Sequence, residues 1–364
     1  MSECPLGLGS ACYCANQVSS FWVAPASLAG PKTAVLLLAH GSPENPDQTP
    51  EFLRYVTGGR PLPPQVVEEI RHRYSLIGFS PLACWTLRQA DQLSQELHLP
   101  VFVGMRNWKP FIADAVKAIA AQKFERVIAI CLAPQNSRTS VGLYRSAVTG
   151  ADVTGDAVTG TDALPFTLDF VDEWHDQPLL AKAFAENLRA GWAKANAEYG
   201  GAFSGTMSGT LSDTRSGTLP IIFTAHSVPA RTITEGDPYE AQSKETAQLV
   251  AKAASLADDA WTFAFQSQGM SGGPWIGPTV EETILSLKAK GHRGVFIHPV
   301  GFLCDHVEVL YDIDIFFKQF AEKEGMRLWR AESLNGSKTL TAAQAELVRS
   351  RSEAVDNARS RQLG

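Results

Sequence analysis

The stretch that decides the reading is Gly294-Val-Phe-Ile-His-Pro-Val-Gly-Phe-Leu-Cys-Asp-His-Val-Glu-Val-Leu-Tyr-Asp312. Val295 to Val300 is a short apolar run with β-branched residues, which predicts a buried strand. Pro299 and Gly301 punctuate its end. A helix is expected from Cys304 or Asp305, because Val309, Leu310, Ile313, Phe316, Phe317 and Phe320 recur along one apolar face. Asp305, Glu308 and Asp312 fall on a second stripe, roughly 110° round the wheel at ~100° per residue. The strand would thus deliver three carboxylates and His306 to the carboxyl edge of a sheet, where open α/β sheets place their ligands. Taken alone, such a stripe is more often a solvated face, with Asp305 favouring the positive helix N-terminus.

The 364 residues suit two domains, and 45 % hydrophobic content with mixed charges describes a globular chain. A net charge of −6 and the lack of a basic stripe exclude a nucleic-acid partner. No run of 18 apolar residues is present to span a bilayer. Residues 1–30 carry no Lys or Arg, so they lack the charged start of a secretory signal. The six cysteines match neither a zinc framework nor a disulfide scaffold, which makes the cytoplasm the expected location. A glycine-rich dinucleotide fingerprint follows none of the expected strands, so nicotinamide chemistry has no support.

Strand and helix patterns alternate along the chain, which implies parallel sheets with helices on both faces. Val35-Leu-Leu-Leu-Ala-His40-Gly-Ser-Pro43 is echoed by Ile222-Phe-Thr-Ala-His226-Ser-Val-Pro229. Trp108-Lys-Pro110, a helix and strand 126–132 are echoed by Trp275-Ile-Gly-Pro278, a helix and strand 294–300. Such internal repetition predicts two similar α/β lobes with a cleft between them. The expected divisions are a disordered leader (1–31), an N-terminal α/β lobe (32–146), a low-complexity insert (147–163) and a lobe-connecting helical segment (164–200). A second insert (201–219), a C-terminal α/β lobe (220–345) and a polar tail (346–364) complete the chain. The inserts are Val-Thr-Gly and Ser-Gly-Thr tracts with no apolar face to bury.

Pro299-Val-Gly-Phe-x-x-Asp-His-x-Glu-x-Leu-Tyr-Asp312 and Thr224-Ala-His-Ser-x-Pro229 resemble the signature of the ferrochelatases, enzymes that insert ferrous iron into a porphyrin. The resemblance covers about residues 33–145 and 165–345. It implies two Rossmann-like, chelatase-type lobes with a porphyrin cleft between them. Fe2+ is then a substrate, with no permanently bound cofactor. No iron–sulfur cluster is expected, since no cysteine follows Cys304. Porphyrin and ferrous iron are the implied partners, and a transient membrane surface or haem-pathway enzymes stay open as further ones.

Metallation needs ligands of intermediate softness that also take protons, hence imidazole and carboxylate. By resemblance His226 and Glu308 are the catalytic and metal-contacting pair, with either one taking the pyrrole protons. A lone histidine after a strand is otherwise more often a hydrogen-bonded core residue. Asp312 would relay metal or protons, or serve as plain surface charge. Phe316 stands where some relatives have a further glutamate. The resemblance also assigns His40, Thr57, Arg73, Tyr74, Ser80 and Tyr144 to the porphyrin. Arginine suits propionates because its fork meets both carboxylate oxygens. Thr57 replaces an arginine common in the coproporphyrin branch. His40 stands where that branch often has a metal-reaching tyrosine, and the plainer reading is a histidine bonded to a turn carbonyl. Most of these positions favour coproporphyrin III over protoporphyrin IX, while Arg330-Ala-Glu-Ser-Leu-Asn335-Gly336 leans the other way. A sirohydrochlorin or cobalt chelatase, and a non-catalytic haem or iron binder, are the competing readings.

Overall fold

The computed structural model describes residues 22–23, 33–150, 164–203, 218–269 and 273–363. The expected leader, apart from two residues, and most of both inserts lie outside these. Two compact units form, one from residues up to Trp174 together with Asn335 onward, the other from His175–Leu334.

The first unit contains β1 (Trp22–Val23), β2 (Thr33–Ala39), α1 (Thr49–Val56), α2 (Pro64–Ile77), α3 (Leu82–Leu97), β3 (Val101–Met105), α4 (Ile112–Ala121), β4 (Arg126–Cys131), α5 (Val141–Thr149) and β5 (Thr167–Val171). Its sheet has the order β1-β3-β2-β4-β5, parallel except for the antiparallel β1. β2 is central, and every residue from Ala34 to Ala39 is buried. That explains its unbroken apolar run, since a parallel strand covered on both faces has no polar side to show. Ala34, Leu36 and Leu38 join one core with Ile112, Ala115 and Ile119 of α4 and Val141 of α5. Val35 and Leu37 point to the opposite face by the two-residue period of a strand, and α3 packs against β2 and β3.

The second unit runs α6 (Pro178–Phe203), β6 (Ile221–His226), α7 (Ala230–Thr234), α8 (Tyr239–Ala254), β7 (Trp261–Gln266), α9 (Val280–Ala289), β8 (Gly294–Pro299), α10 (Val307–Leu310), a π-helical segment (Asp312–Phe317), α11 (Lys318–Lys323) and β9 (Arg327–Arg330). Its four strands are all parallel, in the order β7-β6-β8-β9. This repeats β3-β2-β4-β5 strand for strand, so β2 and β6, the two that run into histidines, occupy equivalent central places. The repetition extends to a turn: Met105 N–H donates to Pro110 O at 2.6 Å and Phe265 N–H to Pro278 O at 2.8 Å.

After β9 the chain returns to the first unit as α12 (Lys338–Leu363). The expected division is corrected here. The segment taken as a connector divides between the units, with β5 completing the first sheet and α6 covering the second. A terminal helix is expected from about Ala342 before a polar tail; α12 starts earlier, at Lys338, belongs to the first unit, and buries Leu340, Ala343, Ala345 and Val348. Arg351 Nη1 pairs with Asp169 at 2.9 Å, and Asp169 also takes Arg126 at 2.6 Å. These contacts were illegible locally because the α12 apolar positions have no partner nearby in sequence.

The helix expected from Cys304 or Asp305 is corrected as well. It starts only after His306, which is extended (φ −160°), and its one α-turn passes into the π-helical segment. Val309, Ile313, Phe317 and Ala321 share the core at four-residue intervals, while Phe316 is exposed. A π-turn inserts a residue into the α ladder and rotates the following face, which is why 3.6-residue arithmetic misplaced Phe316.

Gly301 closes the turn from β8 toward α10, where a Cβ would meet Ala225 Cα and Cβ of β6 at 2.8 Å. Gly301→Ala is expected to cost about 1–3 kcal/mol, the usual range for overpacking. A urea titration would read this as a lowered midpoint at unchanged slope.

Candidate active site

Two neighbouring parallel strands end at the same sheet edge, and that geometry assembles the site in the second unit. β6 finishes at His226. The next residue, Ser227, is strapped by its N–H to Gln266 O at 2.7 Å and by its hydroxyl to Ile276 O at 2.8 Å. β8 finishes at Pro299, after which Val300 and Gly301 both donate to Thr224 O of β6, at 2.9 and 3.2 Å. This turn carries the chain over the end of β6, and the first turn of α10 presents Glu308 to His226.

His226 Nε2 lies 3.5 Å from Glu308 Oε1, and His306 Nε2 lies 3.5 Å from Glu308 Oε2. His226 Nδ1–H donates to Ser227 O and His306 Nδ1–H to Cys304 O, so backbone carbonyls orient both rings with Nε2 toward the carboxylate. The His226 and Glu308 side chains each keep 32 % of their surface open. Burial pushes the His226 imidazole down, but the Glu308 carboxylate outweighs it and lifts the ring to about 9. Burial likewise pushes Glu308 up, while His226 and His306 together hold it well below the usual carboxylate range. His306 is raised despite its burial, by the same carboxylate. Trp275 stands with its ring centroid 6.4 Å from that of His226.

The expected line of three carboxylates does not form. Asp305 precedes the helix and is drawn to Arg330 (3.3 Å) and the Ser333 hydroxyl (2.8 Å). Arg330 also forks onto Asp314 at 2.6 and 2.9 Å, bracing the π-helical segment from β9. Asp312 is buried and accepts the Ser267 hydroxyl. Among the described residues no group of three or more His, Cys, Asp or Glu side chains forms a metal-holding cluster. Glu308 between two imidazoles offers a carboxylate that can meet a cation and take or pass a proton.

In the first unit, His40 follows β2. Its Nδ1–H donates to Gly41 O and its Nε2 accepts from Asn107 Nδ2, each at 2.9 Å. The turn-carbonyl reading thus describes the ring as it stands, and metal ligation would require Asn107 to withdraw. Phe52 gathers His40, Tyr74 and Trp108 about itself at centroid distances of 6.0, 6.2 and 6.2 Å. Tyr74 and Tyr144 are both buried, Tyr144 within the sheet core. Thr57 ends α1 and spends its hydroxyl on Arg60 O at 2.7 Å. Arg73 pairs with Glu69 one turn back on α2 at 3.1 Å. Ser80 is buried, and its hydroxyl meets no partner among the described residues. Arg106, which sequence reasoning passed over, sets its guanidinium 5.8 Å from the Tyr144 ring centroid, with Nε buried and without a hydrogen-bond partner among the described residues. Its signal was its place directly after a strand.

The family model described as Ferrochelatase matches residues 32–352. A ferrochelatase of Acidobacterium capsulatum is 50 % identical over 334 residues, covering 88 % of this chain and 94 % of that one. A ferrochelatase of Deinococcus radiodurans is 34 % identical over 320 residues, covering 86 % and 94 %. A coproporphyrin III ferrochelatase of a Geobacillus species is 30 % identical over 331 residues, covering 88 % and 98 %. The matched region contains both repeated strand ends and the whole of the Glu308 turn. The chain belongs to the ferrochelatase family, the enzymes that insert ferrous iron into a porphyrin.

Proposed function

We propose that His226 and Glu308 carry the metallation, and that coproporphyrin III is the preferred porphyrin. The observation that supports the first part is the 3.5 Å approach of His226 Nε2 to Glu308 Oε1, with Nδ1 already committed to a carbonyl. At neutral pH the pair rests as imidazolium and carboxylate. An incoming ferrous ion needs the neutral imidazole as ligand and so displaces its proton. The His226 proton leaves to solvent, and Glu308, with its charge intact, accepts the two pyrrole protons in turn and passes each to solvent.

The porphyrin preference is supported by relatives named for coproporphyrin III at 30 and 31 % identity and by the basic side chains Arg54, Arg60, Arg71 and Arg73 on or beside α1 and α2. Coproporphyrin has four carboxylates where protoporphyrin has two. Arg73 and Ser80 are proposed to contact the macrocycle or its propionates, with Glu69 releasing Arg73 when a propionate arrives. Anaerobic assays with each porphyrin and ferrous iron are expected to give the higher kcat/KM for coproporphyrin III. Equal or reversed values would overturn that preference.

Glu308→Gln is expected to fold and bind porphyrin while losing ~10²–10⁴ in rate, the usual worth of a positioned acid–base group. Retention of a third or more of turnover would place the chemistry elsewhere.

The same substitution tests the pairing without turnover. Raised to about 9 from 6.5, His226 contributes stability that is present below pH 6.5 and lost as pH rises through 9. Lowered from 4.5, Glu308 contributes stability that is present above pH 4.5 and lost as pH falls through its folded value. The charged pair therefore spans neutral pH. In Glu308→Gln the His226 midpoint, followed by imidazole NMR, is expected to fall from about 9 toward its ordinary range.

Arg73→Ala is expected to weaken coproporphyrin binding more than protoporphyrin binding, read by fluorescence titration. Equal losses would mean that Arg73 meets a propionate common to both.

A further inference from the structure

One residue touches both halves of the catalytic pair without belonging to it. Gln266 ends β7 directly beside His226 in the parallel ladder, and its backbone carbonyl takes the Ser227 N–H at 2.7 Å. Its side-chain Nε2 donates to the backbone carbonyl of Glu308 at 2.8 Å and to the Ser267 hydroxyl at 3.2 Å. Its Oε1 accepts the Thr224 hydroxyl at 2.7 Å, which fixes the direction of the amide. The Ser267 hydroxyl passes on to Asp312, the first residue of the π-helical segment. Gln266 is 2 % exposed and Thr224 is fully buried.

We propose that Gln266 is a positioning residue for metallation: its backbone fixes the strand end that carries His226, while its amide fixes the helix turn that carries Glu308. The inference rests on the reading of Glu308 as a catalytic group. α10 has a single α-turn followed by a π-turn, so its own ladder gives it few hydrogen bonds to resist sliding along the sheet edge. A buried amide with both polar atoms engaged supplies that resistance from outside the helix. Misplacement of reacting groups by ångströms costs rate even when binding survives.

Gln266→Met keeps volume and removes the donor to Glu308 O. The full-length variant is expected to lose on the order of tenfold in kcat, with the KM for porphyrin within twofold and amide exchange accelerated at Val309 to Asp312. In the Gln266→Met/Glu308→Gln double variant no loss beyond Glu308→Gln is expected, because Gln266 acts only through Glu308. Wild-type kcat in Gln266→Met would overturn the proposal, as would additive losses in the double variant or a parallel loss of kcat and porphyrin affinity. Should Gln266→Met not fold, Thr224→Val, which frees the amide to turn, decides the matter. A fall in kcat at unchanged KM upholds the role, and wild-type kcat rejects it. Near wild-type turnover in Glu308→Gln alone would instead remove the catalytic reading on which the inference stands.

Discussion

The negative charge on Glu308 is the constraint around which the second unit is arranged. A carboxylate with two thirds of its surface withdrawn from water is costly unless cations or donors meet it. Two imidazoles meet it here, one on each oxygen, and each is aimed by a carbonyl on its other nitrogen. The same charge that makes the pair stable makes it reactive. It holds a proton on His226, and Glu308 itself stays ionised at neutral pH.

Around that charge the backbone is shaped for access more than for regularity. β8 stops at a proline that has no N–H to extend the ladder, and the chain crosses β6 through Gly301, where a side chain would not fit. The helix that follows is one α-turn and a π-turn, a local departure that α-helices show frequently at functional sites. Its irregularity is contained by outside partners: Gln266 on the Glu308 carbonyl, Ser267 on Asp312, and the Arg330 fork on Asp314. The equivalent place in the first unit took another course. After β2 the His40 ring is hydrogen-bonded to Gly41 and Asn107 and meets Phe52 edge-on, yet the residue stays exposed. Duplicated strands thus end in two histidines with different neighbours.

Much of the fold was legible along the chain. The apolar runs of β2, β4, β6 and β8 announce strands buried on both faces, and the Ala-His strand ends reveal the repeat. The strands β5, β7 and β9 went unread, each having partly buried positions that break the apolar run. Gln266 went unread with β7. His306 was in plain view, two residues before Glu308, yet nothing local said that its ring would reach the second carboxylate oxygen.

The sequence by itself determined the parallel α/β architecture and its duplication, because both follow from local periodicity and from where buried strands stop, while the pairing of His226 with Glu308 came from the family resemblance. Only the tertiary structure decided which polar groups those strand ends would share. Asp305 goes to Arg330, Asp312 to Ser267, and the Glu308 carbonyl to Gln266, each joining segments far apart in the chain. It also decided that α12 returns to the first unit to cover its apolar face. Local spacing encodes which side of an element is buried. A hydrogen-bond partner depends on the register between elements, and that exists only once the sheet has formed.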